Sequence, residues 1–471
     1  MVSVQFILAI GGSKISKKVY AAILATGLMS FSGVLVETAM NVAFPTLMKQ
    51  FGLVTNTVQW MTSIYLLVIS VIVPLSAVLK SSFQTKQLFV TANLLFFVGL
   101  LLDALAPNFA ILLLGRAIQG LGTGIALPLM FNIILEQVPA DKISLMMGFG
   151  NLITGVAPAL GLTFGGLVIN NLGWRYVFFF LMPLIILSLF LGLYGIQQKS
   201  KIVKIKPDFL SIVFIAVLFA GVIYGFSNLS SGKLLTNLFP IFIGLCSLGF
   251  LLGRSKKLVQ PILHFEILKN KSFSVHLLGF LMIQLCSLGN AFLLPNYVQL
   301  VNQSTATIAG LVTMPAGMVG ALMSVVGGRL YDDKGARFPI ITGASLMAAE
   351  LIAFACLSQQ MSDLVISLVY IIYMTGMGMS IGAIMTNALA SLKPEFSAQG
   401  NAFLNTIQQF AGAIGTSLTS AIVALSQAQY GSKGPRPTAI GTQHAFIFLA
   451  VIVVFLWLMF YKNVKTEGGS K

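Results

Sequence analysis

The chain has 471 residues, of which 57% are hydrophobic and only 8% charged, with a net charge of +16. A soluble domain carries about a quarter of its residues as charges, so this composition excludes one and points to an integral membrane protein. The positive excess does not mark a nucleic-acid surface, because the basic residues are scattered over short connecting segments and form no single face.

The N-terminus, MVSVQFILAIGGSKISKK, has a short apolar run with its lysines after it, unlike a secretory signal, so the first span is expected to act as its own insertion signal. Apolar stretches of bilayer length, about 20 residues each, are then predicted at 18–44, 56–79, 87–106, 109–135, 144–168 and 175–197. The basic linker QQKSKIVKIKP leads to two more, at 208–229 and 236–253, and a second basic segment, GRSKKLVQPILHFEILKNK, follows them. The last six are predicted at 273–297, 305–328, 338–360, 362–390, 400–426 and 444–462, with YGSKGPRPTAIGTQ before the final span read as an exposed loop. The layout is six spans, an inserted pair, then six spans, which suggests two related bundles. Expected units are residues 1–198, the inserted pair and its linkers at 199–272, and residues 273–471.

With the N-terminus inside, 22 of the 28 basic residues fall on the cytoplasmic side, five outside, and Arg116 within the membrane. That asymmetry predicts that both termini are cytoplasmic. Cys246, Cys286 and Cys356 lie in predicted spans without a CxxC pair and read as packing residues.

A charge at mid-membrane is costly, so the few present are functional candidates. Glu37, in VETAMNVAFP, lies about eight residues before the first span ends near Pro45, and Arg116 lies about eight residues into the oppositely running fourth span. At 1.5 Å per residue both are roughly 12 Å below the outer edge and within reach of each other. Glu37 reads as the one carboxylate deep in the first six spans. A carboxylate whose charge depends on a nearby guanidinium is a proton-coupling device; a static ion pair that fixes packing is the alternative.

In LGRAIQGLGTG, Gly120 and Gly124 permit close helix approach, while Arg116 and Gln119 need polar partners or water and are expected to face a cavity. GFGNLITGVAPALGLTFGGLV, in the fifth span, combines Pro158 with Gly161, Gly165 and Gly166, a pattern that suits a bent, tightly packed seam. GGRLYDDKGARFP places Asp332, Asp333, Arg329, Lys334 and Arg337 in a short cytoplasmic turn, either a conformational lock or an ordinary solvated turn. Gln284, Asn290, Asn296, Asn387, Asn405, Gln408 and Gln409 are uncharged intramembrane polar residues that could line a pocket or join helices. Glu350 is the deep carboxylate of the second half. No GxxxxGK[ST] loop or HExxH helix occurs, and His264, His276 and His444 lack metal-ligand spacing, so ATP-driven pumping, metalloprotease chemistry and a resident metal or other cofactor are not expected.

In combination these segments resemble the major facilitator superfamily, and within it the fourteen-span drug:proton antiporter branch (EmrB/QacA-like), over nearly the whole chain. VETAMNVAFP is similar to the branch's first-span motif, with Glu37 at the usual aspartate position and Asn41 and Pro45 matching; LGRAIQGLGTG is similar to the motif around its proton-linked arginine; APALGLTFGGLV is similar to its antiporter motif, with Leu162 where proline is frequent. The loop motif GxLxDxxGxR is intact at Gly328, Leu330, Asp332, Gly335 and Arg337, and degraded in the first half, where Ser81 replaces the aspartate and Gln84 the second glycine. The resemblance implies an all-α integral membrane protein with the major facilitator fold, not an enzyme. It would be a cell-membrane multidrug exporter, monomeric, driven by the proton gradient without a cofactor, that exchanges lipophilic, often cationic small molecules for protons and confers drug resistance. Expected roles are proton coupling at Glu37 and Arg116, substrate binding at Glu37, Asn41, Gln119, Gln284, Asn290, Asn405 and Gln408, and a conformational lock at Gly328, Asp332, Gly335 and Arg337. By the family layout Glu350 lies on a peripheral helix and is not assigned to the cavity. Uptake or lipid transport on the same scaffold, or a non-transporting sensor, are the other readings.

Overall fold

A computed structural model describes residues 15–139, 143–199, 202, 208–228, 234–258, 261–393, 396–430 and 434–464. The N-terminal apolar run, most of the basic linker after 199, and Lys142, Lys233, Lys433, Lys465 and Lys471 lie outside the described residues.

Among the described residues, fourteen helices are long and apolar enough to cross a bilayer. We number them α1 (Lys17–Val42), α2 (Thr55–Leu75), α3 (Thr85–Ala104), α4 (Phe109–Gln137), α5 (Ile143–Asn171), α6 (Arg175–Gly195), α7 (Phe209–Ser227), α8 (Leu234–Ser255), α9 (Lys271–Leu300), α10 (Ala306–Lys334), α11 (Arg337–Leu357), α12 (Asp363–Ala390), α13 (Ser397–Gln429) and α14 (Pro435–Asn463). Several start on a polar cap whose side chain accepts from a first-turn amide: Ser16 in α1, Asn108 in α4, Asn270 in α9, Thr305 in α10 and Ser362 in α12. The second span is a broken helix, interrupted at Gln59 and tightened to a 3-10 turn at Val73–Leu75, where Pro74 removes a backbone donor.

Two expectations about loops are corrected. Of YGSKGPRPTAIGTQ, the residues from Pro435 onward are the opening turns of α14, with Pro435 in the first turn and Thr438, Ala439, Gly441 and Thr442 buried. Proline suits a first helical turn because its missing N–H has no acceptor there in any case. Likewise GGRLYDDK is helical through Lys334, and the turn shrinks to Gly335 and Ala336. Gly335 has φ 74°, which explains why glycine stands there.

Helix packing repeats with an offset of eight. In the first six helices α1 packs on α4, α5 and α6, α2 on α4, and α3 on α4 and α6; in the last six α9 packs on α12, α13 and α14, α10 on α12, and α11 on α12 and α14. The two six-helix bundles meet where α5 crosses α10, α2 crosses α13 and α1 meets α9. The inserted helices α7 and α8 pack on each other, and α7 lies over α2 and α13, so among the described residues one of the two lateral seams is covered and its symmetry mate at α5/α10 is not.

Among the described residues, hydrogen bonds that cross between the bundles lie in the half away from the N-terminus. Thr55 donates to Gln427 at 2.9 Å, Ser63 and Ser417 are 3.1 Å apart, and Gln299 donates to the Val42 carbonyl at 3.1 Å. The far half of the molecule is therefore the closed one.

Candidate functional site

The charged centre is assembled by α1 to α4. Arg116 is fully buried on α4. Its Nε donates to the Met61 carbonyl at 3.2 Å, its Nη1 to Gln119 Oε1 at 2.7 Å, and its guanidinium lies 4.1 Å from the centre of the Tyr65 ring. Gln119 passes the contact on, donating through Nε2 to Asp103 Oδ2 at 2.7 Å. Helical spacing makes this local: residues 116 and 119 are one turn apart and share a face. Tyr65 is fixed in turn, donating to the Gly33 carbonyl at 2.9 Å and sharing a 2.8 Å hydrogen bond with Thr123 Oγ1. Gly33 is one turn before Glu37 on α1, which places the acid beside the tyrosine and the guanidinium.

Glu37 is 7% exposed. The ion pairs among the described residues are Lys80–Glu136, Arg254–Asp208 and Lys269–Glu266, so the direct Glu37–Arg116 contact that matching depths allowed is not formed in this structure. Arg116 is held instead by Met61, Gln119 and Tyr65.

The expectation that Glu37 is the one deep acid of the first six spans is also corrected. Asp103 is completely buried although it stands one residue from the end of α3. Side chains on a helix tilt back towards its N-terminus, and here that carries the carboxylate inward onto α4. Gly115 makes the room, since a Cβ there would run into Asp103 Oδ1. A sequence signal existed: a glycine one residue before the buried arginine, next to an acid that caps no helix.

Asn41 accepts from Thr62 Oγ1 at 3.1 Å, while its own amide nitrogen is buried without a partner. Gln119 is engaged at both ends and is part of the charged chain, not a free cavity ligand. Across the molecule, Asn290 does not stand with Glu37: it is fully buried and donates to Glu350 Oε1 at 3.4 Å inside the second bundle. Glu350, on α11, is likewise fully buried. Gln284 is buried on α9, whereas Asn405, which donates to the Asn401 carbonyl at 3.0 Å, and Gln408 remain partly exposed on α13. Asn296 returns a hydrogen bond to the Phe292 carbonyl, and Asn387 pairs with His276 at 2.8 Å.

The glycines of α5 serve two faces. Gly161 and Gly165 lie against the α1 backbone at Leu35 and Ala39, and Gly166 lies against Ala306 of α10, whose Gly310 in turn meets the Leu162 carbonyl. Thr163 Oγ1 donates to Gly310 O at 3.3 Å and Thr307 Oγ1 to Gly166 O at 3.1 Å, so the seam is closed by backbone approach on both sides. Pro158 lies inside the same helix, one turn before Leu162.

At the opposite face Asp332 is exposed and in no ion pair, while Arg337 lies over Tyr461 at 5.3 Å and Lys334 over Phe338 at 4.3 Å. Gly328 has open space where a Cβ would be. The degraded first-half loop is held differently from the intact motif, by Lys80 and Glu136 at 2.6 Å.

The family model described as Major Facilitator Superfamily matches residues 26–416. The chain belongs to the major facilitator superfamily. The "Lincomycin resistance protein LmrB" of Bacillus subtilis (strain 168) is 36% identical, covering 96% of this chain and 97% of the relative, and that of Listeria monocytogenes is 34% identical over 97% and 99%. A "Multidrug resistance protein B homolog" of Mycobacterium tuberculosis is 25% identical over 88% of this chain and 79% of the relative. Among solved structures, a D-xylose-proton symporter superposes with TM-score 0.66 at 15% identity, covering 96% of this chain and 98% of that one. A bacterial homologue of the human lysosomal transporter Spinster gives 0.69 at 15% identity, with 97% and 98% covered. The solved structures show the fold, and the full-length relatives are proteins named for lincomycin resistance. It is a multi-pass membrane transporter and not an enzyme.

Proposed function

We propose that this facilitator is a proton-coupled exporter of lipophilic, often cationic small molecules in the bacterial cell membrane, with both termini cytoplasmic. Glu37 alternates between a proton and a cationic substrate, and Arg116 sets which of the two is favoured. The observation that carries this reading is an acid on a central membrane helix, outside any ion pair, beside a fully buried guanidinium. An ionisable group of that kind is costly inside a membrane, and such groups mark ion and proton pathways.

Two bundles, divided at residues 198/199 and 272/273, rock about the glycine seam of α5 and α10. The cavity between them draws on Asn41, Gln284, Asn405 and Gln408 besides Glu37. With the charge asymmetry placing the N-terminus inside, the closed half faces out, and the state described is inward-facing. The exposed Asp332 and the ring-held Arg337 form the lock once the cytoplasmic ends approach. Full-length similarity to lincomycin resistance proteins makes lincomycin the first compound to assay.

The test is expression in a bacterium stripped of its own exporters. Ethidium accumulation is expected to fall and lincomycin tolerance to rise with the wild-type chain, and Glu37→Gln is expected to abolish both effects at equal membrane abundance. Faster ethidium entry would make the chain an importer, and unchanged entry a non-transporting protein.

A further inference from the structure

Arg116 and Asp103 terminate one hydrogen-bonded chain, and each end has a buried atom without a partner: Arg116 Nη2 and Asp103 Oδ1. A purely structural pair would close on itself with the guanidinium bidentate on the carboxylate. Here Gln119 is interposed, and each end keeps one hydrogen-bonding position unfilled. An arginine stays cationic in any protein environment, so the centre holds one fixed positive charge and two carboxylates, Glu37 and Asp103.

The neighbouring groups add nothing to that count. Tyr65 is engaged by Gly33 and Thr123, and Asn93, on the same helix as Asp103, by Ile185 and Ser188. Arg175 is partly exposed at the head of α6, where it donates to the Ala106 carbonyl at 2.7 Å and stacks on Trp174, so solvent screens it.

We infer that Asp103 is a second proton-coupling acid, whose negative charge is what lets the Glu37 site accept a cation although Arg116 stands beside it. Glu37 and Arg116 alone are already neutral, and a cation added to them would leave the buried centre at plus one. With Asp103 ionised the centre is at minus one and takes either one proton or one monovalent cation. Binding the cation therefore expels one proton from the Glu37/Asp103 pair into water, and charge is conserved. Neutral cargo displaces no proton from the pair.

The inference rests on reading Glu37 as the exchange acid, and the experiment separates the two. Purified protein in weakly buffered detergent is mixed with ethidium, a monocation, or with chloramphenicol, which is uncharged, and both binding and proton release are read. Wild type is expected to release about one proton per ethidium and none per chloramphenicol. Asp103→Asn, which keeps an acceptor for Gln119, is expected to lose the release and to weaken ethidium binding about tenfold or more, from one charge lost from a buried, poorly screened centre. Chloramphenicol binding stays unchanged. Asp103→Glu restores the wild-type pattern, and the double change Asp103→Asn with Arg116→Gln regains ethidium-linked release, because Glu37 alone again carries minus one.

An Asp103→Asn protein that binds ethidium and releases protons like wild type overturns the inference. So does one that loses ethidium and chloramphenicol binding together with a lowered melting temperature, which is the pattern of a packing role. Wild type that binds ethidium without releasing a proton sinks the exchange reading of Glu37 itself. Should the Asn variant not fold, carbodiimide labelling of wild type between pH 5 and 8 decides: label on Asp103 that ethidium suppresses supports the inference, and none at any pH defeats it.

Discussion

Arg116 carries three different contacts at once, two hydrogen bonds in fixed directions and a stacking face. Lysine keeps the charge but has neither the planar fork nor the stacking surface. Arg116→Lys is expected to lower ethidium efflux at least about tenfold at normal abundance, which initial-rate fluorescence assays will show. Tyr65→Phe is the counterpart: the ring stays under the guanidinium and only the hydroxyl goes. It should retain most transport and cost about 0.5–1.5 kcal/mol of stability, measurable as a lower melting temperature in detergent. Glu37 and Arg116 were legible in the sequence because a charge inside an apolar span needs no partner to be noticed. Asp103 was not, because a position near a helix end counts as interfacial until the neighbouring helix is known to cover it.

The glycine motif of α5 makes a sharper claim about helices than about single residues. Gly166 and Gly310 each face backbone of the opposite bundle, whereas Gly155, on the same helix, has open space where a Cβ would be. Gly166→Val and Gly310→Val are expected to stop transport by holding the seam apart, overpacking of this kind costing about 1–3 kcal/mol, while Gly155→Ala leaves it intact. Parallel efflux assays on the three variants check this, and equal activity in all of them would remove the seam from the mechanism. The inserted pair is pinned at its N-terminal-face end by Arg254, whose guanidinium donates to both oxygens of Asp208 at 2.6 Å. These bonds pull the Asp208 carboxyl down to about 2. A carboxyl lowered in the folded state adds stability above its ordinary value near 4 and loses it as pH falls through about 2. The pair therefore stays intact from pH 5 to 8, and Asp208→Asn is expected to leave the pH midpoint of transport in that window unmoved. The sequence marked the loop motif as a turn because GGRLYDDKGAR is polar, yet the helix continues to Lys334 and only Gly335, with its positive φ, ends it.

Across the whole molecule, α7 joins both bundles at one seam. Gln59 of α2 donates to Ser227 of α7 at 2.8 Å, Ser227 donates to Ser417 of α13 at 3.0 Å, and Trp60 and Phe410 meet Tyr224 and Phe219 with ring centres 5.9 and 4.4 Å apart. The proposed alternating access requires Ser63 and Ser417, 3.1 Å apart here, to separate. In a chain freed of Cys246, Cys286 and Cys356, the pair Ser63→Cys with Ser417→Cys should form a disulfide that stops ethidium efflux, and reductant should restore it. Efflux undiminished in fully cross-linked protein would show that this seam never opens.

Hydrophobic length, sparse charge and the short motifs by themselves determined fourteen spans, the family and two of the three charges at the centre. Each of these is written in consecutive residues, where bilayer thickness and helical periodicity act directly on the chain. Only the tertiary structure decided that Asp103 joins Arg116 through Gln119, that Asn290 turns to Glu350, and that α7 covers the seam between α2 and α13. Those facts depend on which helices become neighbours, and side chains hundreds of residues apart, such as Gln59 and Ser417, carry no local sign of the partner that will satisfy them.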